Sequence, residues 1–283
     1  MLTVLAPAKL NLTLEVLGKR PDGFHEIRSV IQTVDLCDRL TFKDSKGVIL
    51  KCNMPGWSAE SSLVGRAVAL MQEAAGASLG VSLEIEKYIP LLSGLGGDSS
   101  DAAAVLRGLN DLWGLNLSQE RLLDMTAQLG SDVSFFIWRG TALAEGRGEK
   151  VTPLPPLAET WFVLVVPDVP RALGKTAEMY AALSPVHFTD GHITRRLAEV
   201  IMARKELKPS MLFNTFENIA FADFTTRQVY VEHLVKLGAP RVHLAGSGPA
   251  LFAMYNNKAE SDDLYTRCKD QGMDAHLVST ALP

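Results

Sequence analysis

Cysteine is scarce in this chain: Cys37, Cys52 and Cys268 are scattered and odd in number among 283 residues. No Cys-x-x-Cys pair occurs, so nothing indicates a disulfide framework or a zinc site, and a reducing cytoplasm is the simplest expectation. Aromatic residues make up only 7% and the formal net charge is -4. With no basic run and no aromatic residues interleaved with basic ones, a nucleic-acid surface is not expected. No apolar run approaches the ~20 residues of a membrane span. The apolar start Met1-Leu2-Thr3-Val4-Leu5 meets Pro7 and Lys9 too early for a signal peptide. Internal repeats and low-complexity tracts are missing as well. What remains is 47% hydrophobic and 21% charged, the make-up of a globular chain with a real core, in one large domain or two modest ones.

The most telling stretch runs from Pro90 to Asn110. Upstream, Val81, Leu83 and Ile85 alternate with polar residues at strand spacing. Downstream, Ala102, Val105 or Leu106, and Leu109 recur at helix spacing, with Gly114 as a stop. Between them lies Pro90-Leu91-Leu92-Ser93-Gly94-Leu95-Gly96-Gly97-Asp98-Ser99-Ser100. A helix N-terminus carries unpaired N–H groups and partial positive charge, and glycines let an anion approach the backbone closely. Strand, glycine loop and helix start therefore form a phosphate cradle. A tight turn with no ligand is the other reading of the glycines. The Walker A Lys-Ser or Lys-Thr pair and the dinucleotide spacing are both missing. Asp98 opposes phosphate binding unless it turns to solvent or helps hold a cation.

Along the chain, Leu10, Leu12, Leu14 and Val16 alternate with Lys9, Asn11, Thr13 and Glu15, which predicts a half-buried strand. Lys9 reads either as a solvated strand lysine or as a working cation, and His25 as a surface histidine or a ligand contact. Strands are expected over 24–35, 39–42 and 48–52, and a helix over 62–74. Ser118 is an N-cap candidate for a helix that Gly130 ends. Asp132 follows directly, either capping a short helix or facing a cleft. The proline-rich stretch after Val151 marks a boundary, giving domains over 1–152 and 153–283. Beyond it, Trp161–Val166 reads as a central strand. The order strand, turn, strand, helix, strand near the end indicates a ferredoxin-like α+β sandwich.

Three separated blocks share a pattern: Pro7-Ala8-Lys9-Leu10-Asn11-Leu12, the Gly-Leu-Gly-Gly-x-Ser-Ser loop, and the turn Gly246-Ser247-Gly248. They resemble the three motifs of the GHMP small-molecule kinases. Pro21-Asp22-Gly23-Phe24-His25-Glu26-Ile27, Ser99-Ser100-Asp101-Ala102-Ala103, Gly130-Ser131-Asp132-Val133 and Asn214-Thr215-Phe216-Glu217 are similar to the branch acting on a cytidine diphosphate sugar-alcohol. The resemblance implies a two-domain α+β fold, the N-terminal domain related to the second domain of ribosomal protein S5. It implies phosphorylation of the 2-hydroxyl of a methylerythritol moiety by ATP with Mg²⁺, in non-mevalonate isoprenoid synthesis. Lys9 and Asp132 would be the catalytic pair, and Pro90 to Ser100 the ATP phosphate loop. Asn11, Phe24, His25, Thr176 and Tyr180 would bind substrate, with the base between the two aromatic rings. Mg²⁺ would be held through the ATP phosphates, with Ser100 as the one candidate protein contact. A small molecule is the expected partner; no nucleic acid, membrane or obligate protein partner is expected. The rivals are a homoserine, mevalonate or sugar kinase of the same family, and a catalytically silent nucleotide-binding module.

This chain departs from the family pattern in places. Asp98 stands where a glycine is usual, Ser62 where an asparagine is frequent, Phe24 for tyrosine, and Ser131 and Ser134 for alanine and proline. None removes a catalytic side chain.

Overall fold

The computed structural model describes residues 1–77, 79–170, 174–221 and 225–282. The strands are β1 (Leu2–Lys19), β2 (His25–Asp44), β3 (Val48–Cys52), β4 (Val81–Glu86), β5 (Thr141–Gly146), β6 (Lys150–Pro153), β7 (Trp161–Val165), β8 (Phe213–Asn214), β9 (His243–Leu244), β10 (Leu251–Tyr255) and β11 (Ala275–Ser279). The helices are α1 (Leu63–Ala75), α2 (Gly97–Leu112), α3 (Gln119–Thr126), α4 (Ser131–Trp138), α5 (Lys175–Ala181), α6 (His192–Met202), α7 (Glu217–Ala220), α8 (Thr225–Lys236) and α9 (Lys258–Asp270).

The chain packs as two compact units that interleave along the sequence. One comprises Met1–Ala8, Leu36–Pro90 and Gly96–Arg139; the other comprises Lys9–Asp35, Leu91–Leu95 and Gly140–Pro283. Strands β1 and β2 each contribute to both. The two strands expected over 24–35 and 39–42 are one continuous β2, because Leu36, Cys37 and Asp38 between them include no glycine or proline to break it.

In the first unit β4 lies between β3, parallel to it, and the later half of β2, antiparallel to it. Helix α2 packs on α1 and α4. Its Ala102, Ala103 and Ala104 are fully buried, and small side chains let the helices approach closely. Ser62 caps α1 by accepting from the Gly65 N–H, and Ser118 caps α3 through Arg121 N–H, as their residue types favour.

In the second unit β7, β9, β10 and β11 form an antiparallel sheet in the order β11-β7-β10-β9. Each hydrogen-bonded pair is antiparallel. This is the split β-α-β-β-α-β arrangement expected from the element order, with the apolar run of β7 in a central place. Val163, Val165, Leu251, Ala253, Leu264 and Cys268 pack in one core with Leu14 and Val16 of β1. Two short strand pairings complete the unit: β8 runs parallel to β1 at Thr13 and Leu14, and β5 pairs the first half of β2.

Strand β1 is not half-buried. The polar face Lys9, Asn11, Thr13 and Glu15 is at most 5% exposed, while Leu10, Leu12, Leu14 and Val16 are at most 4% exposed. Each polar side chain is met by a partner: Thr13 Oγ1 accepts from Val30 N–H and Glu15 Oε2 from Thr194 N–H. Alternation in sequence separates polar from apolar, and here a second layer covers the polar side too.

Candidate active site

Lys9 is 5% exposed, so the solvated-lysine reading does not hold. Its Nζ donates to Asn11 Oδ1 at 2.6 Å, and Asn11 Nδ2 donates to Ser29 Oγ at 2.8 Å. A lysine is seldom this deep unless its ammonium meets acceptors. The backbone N–H of Lys9 donates to Leu95 O at 2.9 Å, tying β1 to the glycine-rich loop.

That loop in turn meets the late turn at 245–250. Gly94 has φ +89°, and a Cβ there would lie 2.1 Å from Ala245 O. Ala250 N–H donates to Ser93 O at 3.1 Å. Gly246, with φ +55°, faces the same point: a Cβ on it would stand 3.0 Å from Gly94 O and 3.2 Å from Lys9 Nζ. These glycines are required both by left-handed backbone and by close contact. The turn is pinned from below by Asn214, whose Nδ2 donates to Leu244 O and Gly246 O at 2.9 and 2.8 Å. All three sequence blocks thus converge on one ammonium within the second unit.

Thr176 joins them, its Oγ1 lying 2.8 Å from Ser247 Oγ. Among the residues expected to bind a base, His25 is stacked on Tyr180 with ring centroids 4.9 Å apart and planes at 19°. Phe188 meets His25 edge-on at 6.1 Å. Desolvation, then the neighbouring Lys19, lower the His25 pKa below its usual value, which favours the neutral ring near pH 7. Phe24 is 54% exposed, with the Arg147 guanidinium 4.7 Å above its ring.

The remaining half of the loop belongs to the first unit. Gly96 caps α2 with φ +76°, and Ser100 N–H already bonds Gly96 O at 2.9 Å. Ser100 is fully buried, and its Oγ has no hydrogen-bond partner among the described residues. Asp98 sits in the first turn, its side chain 65% exposed and 3.3 Å from Lys87 Nζ. Of the two escapes open to this carboxylate, it takes solvent, with a lysine beside it.

Lys87 is the centre of a buried charge cluster. Its Nζ lies 2.7 Å from Asp38 Oδ2 and 2.6 Å from Asp101 Oδ2, with the Lys87 and Asp101 side chains 4% and 3% exposed and that of Asp38 fully buried. Asp38 Oδ1 also accepts from Ile89 N–H at 2.8 Å and Tyr88 N–H at 2.5 Å. Burial outweighs the pull of Lys87 and pushes the Asp101 carboxyl up to about 8. The Lys87 ammonium is raised above its usual range by its two carboxylates, against desolvation.

Asp132 is not the N-cap of its helix. Gly130 holds that place, and Asp132 is exposed at the second position of α4. An acidic side chain suits the first turn of a helix, where the backbone carries partial positive charge. Gly130 likewise starts α4, whereas α3 stops earlier, at Thr126.

Three residues near these groups went unnoticed in the sequence. Ser29 carried one signal, a lone hydroxyl on the Ile27–Ile31 face of β2. Lys175, whose Nζ would be 3.5 Å from a Cβ on Gly248, had only its place beside Thr176. Lys87 had none, since its partners come from distant segments.

The GHMP kinases N terminal domain model matches residues 62–140. A 4-diphosphocytidyl-2-C-methyl-D-erythritol kinase of Dehalococcoides mccartyi is 50% identical over 283 residues, covering 100% of this chain and 99% of the relative. One from Symbiobacterium thermophilum is 38% identical over 277 residues, covering 96% and 97%. A crystal structure of 4-(cytidine 5'-diphospho)-2C-methyl-D-erythritol kinase superposes with TM-score 0.85 at 30% identity, covering 100% of both chains. A mevalonate kinase from L. major, at TM-score 0.73, 17% identity and 99% and 96% coverage, shares the fold. The chain belongs to the GHMP kinase family, within its branch of 4-diphosphocytidyl-2-C-methyl-D-erythritol kinases.

Proposed function

We propose that this chain transfers the γ-phosphoryl group of ATP to the 2-hydroxyl of 4-diphosphocytidyl-2-C-methyl-D-erythritol. The products are the 2-phosphate and ADP, in non-mevalonate isoprenoid precursor synthesis. The observation that carries the reading is the buried Lys9 ammonium, held by Asn11 and faced by Gly246. Full-length identity to kinases of that name supports the choice of substrate. The fold is shared with homoserine and mevalonate kinases at 17% identity, so fold alone does not separate these substrates. In this reading residues 1–152 are the ATP-binding domain and 153–283 the C-terminal α+β domain, working in the cytoplasm.

Phosphoryl transfer asks a protein mainly to position groups and to stabilise charge. ATP with Mg²⁺, when bound, supplies the phosphoryl group and screens its charge. Pro90 to Ser100 would hold its phosphates. The orphaned, buried Ser100 Oγ suits an oxyanion or its cation, and the first-turn N–H groups of α2 suit an oxyanion. Asp132 takes the proton of the acceptor hydroxyl as the bond forms. Lys9 stabilises negative charge developing on the oxygens. Phe24 and Tyr180 offer flat faces to the pyrimidine, and neutral His25 offers one donor and one acceptor to its edge.

The test is ATP consumption with a panel: 4-diphosphocytidyl-2-C-methyl-D-erythritol, homoserine, mevalonate and galactose. Turnover of the first alone is expected. Turnover only of another moves the substrate assignment, and ATP binding without any turnover favours a silent module. Asp132→Asn is expected to lower kcat by about a hundredfold or more with the fold intact by circular dichroism. Near-normal kcat would leave Asp132 a helix-dipole residue only.

A further inference from the structure

The hydrogen bonds behind Lys9 have a fixed direction. Ser29 Oγ lies 2.6 Å from Thr13 O, and a carbonyl can only accept, so the serine hydroxyl donates there. Its lone pairs are then left for the Asn11 amide N–H₂ at 2.8 Å. With its nitrogen committed to Ser29, Asn11 presents its oxygen to the Lys9 ammonium at 2.6 Å, and an ammonium can only donate. The order Lys9, Asn11, Ser29, Thr13 carbonyl is self-consistent, and a flipped Asn11 amide would set its N–H₂ against the Lys9 ammonium and its oxygen against the lone pairs of Ser29. Ser29 is fully buried, and Lys9 and Asn11 are each 5% exposed, so bulk water is not at hand to replace a lost link. The strands bearing the chain are themselves locked beside it, since Val30 N–H donates to Thr13 Oγ1 at 3.0 Å.

We propose that Ser29 is a positioning residue for phosphoryl transfer: it fixes the Asn11 amide so that the amide oxygen holds the Lys9 ammonium beside Gly246. Ser29 touches neither substrate in this account and acts only through Asn11. The proposal rests on the reading that Lys9 serves the reaction. Without the hydroxyl the Asn11 amide loses one of the two partners that fix its sense and place, its N–H₂ is left unpaired, and only the ammonium itself still selects the oxygen.

The experiment is steady-state kinetics on the full chain, with wild type and Lys9→Met beside Ser29→Ala, Asn11→Ala and the double variant. Ser29→Ala is expected to lower kcat by about tenfold, a cost in the range of misplaced reacting groups, with KM for both substrates within about twofold. Because Ser29 works through Asn11, Ser29→Ala should cost nothing further in the Asn11→Ala background. A purely structural serine would instead add its cost there. Ser29→Cys, nearly isosteric and a weak hydrogen-bond group, carries the same expectation should the alanine variant fold poorly. An inactive wild type, or a fully active Lys9→Met, removes the kinase reading and this proposal with it. An active wild type and inactive Lys9→Met, with unchanged Ser29→Ala and Ser29→Cys, overturns the role of Ser29 alone.

Discussion

The glycine-rich loop is built in two ways along eleven residues. Leu91–Leu95 is held in the second unit by main-chain contacts, at Leu95 O, Ser93 O and the Gly94–Ala245 approach. Gly96–Ser100 begins α2 in the first unit, over the buried cluster of Lys87, Asp38 and Asp101. The first half depends on shape and on residues without a Cβ. The second depends on charges removed from water. Backbone fastening is indifferent to pH, whereas a buried ionic cluster is not.

The sharpest way to break the comparison is Lys87→Met, which strips buried Asp38 and Asp101 of the cation they share. It is expected to cost about 3–5 kcal/mol of stability, read by urea denaturation. Gly94→Ala comes next, at about 3 kcal/mol or more, since its φ is +89° and the clash is with backbone that cannot swing aside. Loss of less than about 1 kcal/mol there would show that the loop relaxes away from Ala245.

The pH response separates the two halves further. Asp101 holds its proton in the folded chain up to about 8, against about 4 for an unfolded carboxyl. A raised folded pKa means that the native state binds more protons across that window. Its stabilising contribution is therefore full below about pH 4 and is lost as pH rises through about 8. Between those limits stability should fall with pH, by up to about 1.4 kcal/mol per unit, and Asp101→Asn should flatten the slope. An unchanged slope would move the linkage elsewhere. The smallest effect is expected from Gly97→Ala, under about 1 kcal/mol. Its Cβ would meet Ile89 and Lys87 side-chain atoms at 3.2–3.4 Å, a tight fit short of a hard clash, and its φ is not left-handed.

The sequence was readable where local chemistry decides. Ser118 caps the helix it precedes, β10 ends where its apolar run ends, and β7 lies centrally in its sheet, in keeping with its unbroken apolar stretch. Lys9 was legible as a candidate through its neighbours, but its burial was not. Alternation marks which faces differ, not whether a second layer covers the polar one. The partners of Lys87, Asp38 and Asp101, lie 49 residues before it and 14 after it, and no spacing rule links them. Of the two readings of Asp132, the cap is excluded because Gly130, two residues earlier, holds that place. The short β8 and the α7 turn escaped notice because their two and four residues are too few to show a period.

Strand β1 has a consequence for how the chain is made. Its Thr13 and Leu14 pair with Phe213 and Asn214, and Thr33 and Asp35 of β2 bond Ala281 and Ser279. During synthesis these segments of β1 and β2 leave the ribosome before such partners exist, and the pairings wait until residues 213–214 and 279–281 have followed. A prematurely terminated product would keep those edges bare, as a target for chaperones or for association with its own copies.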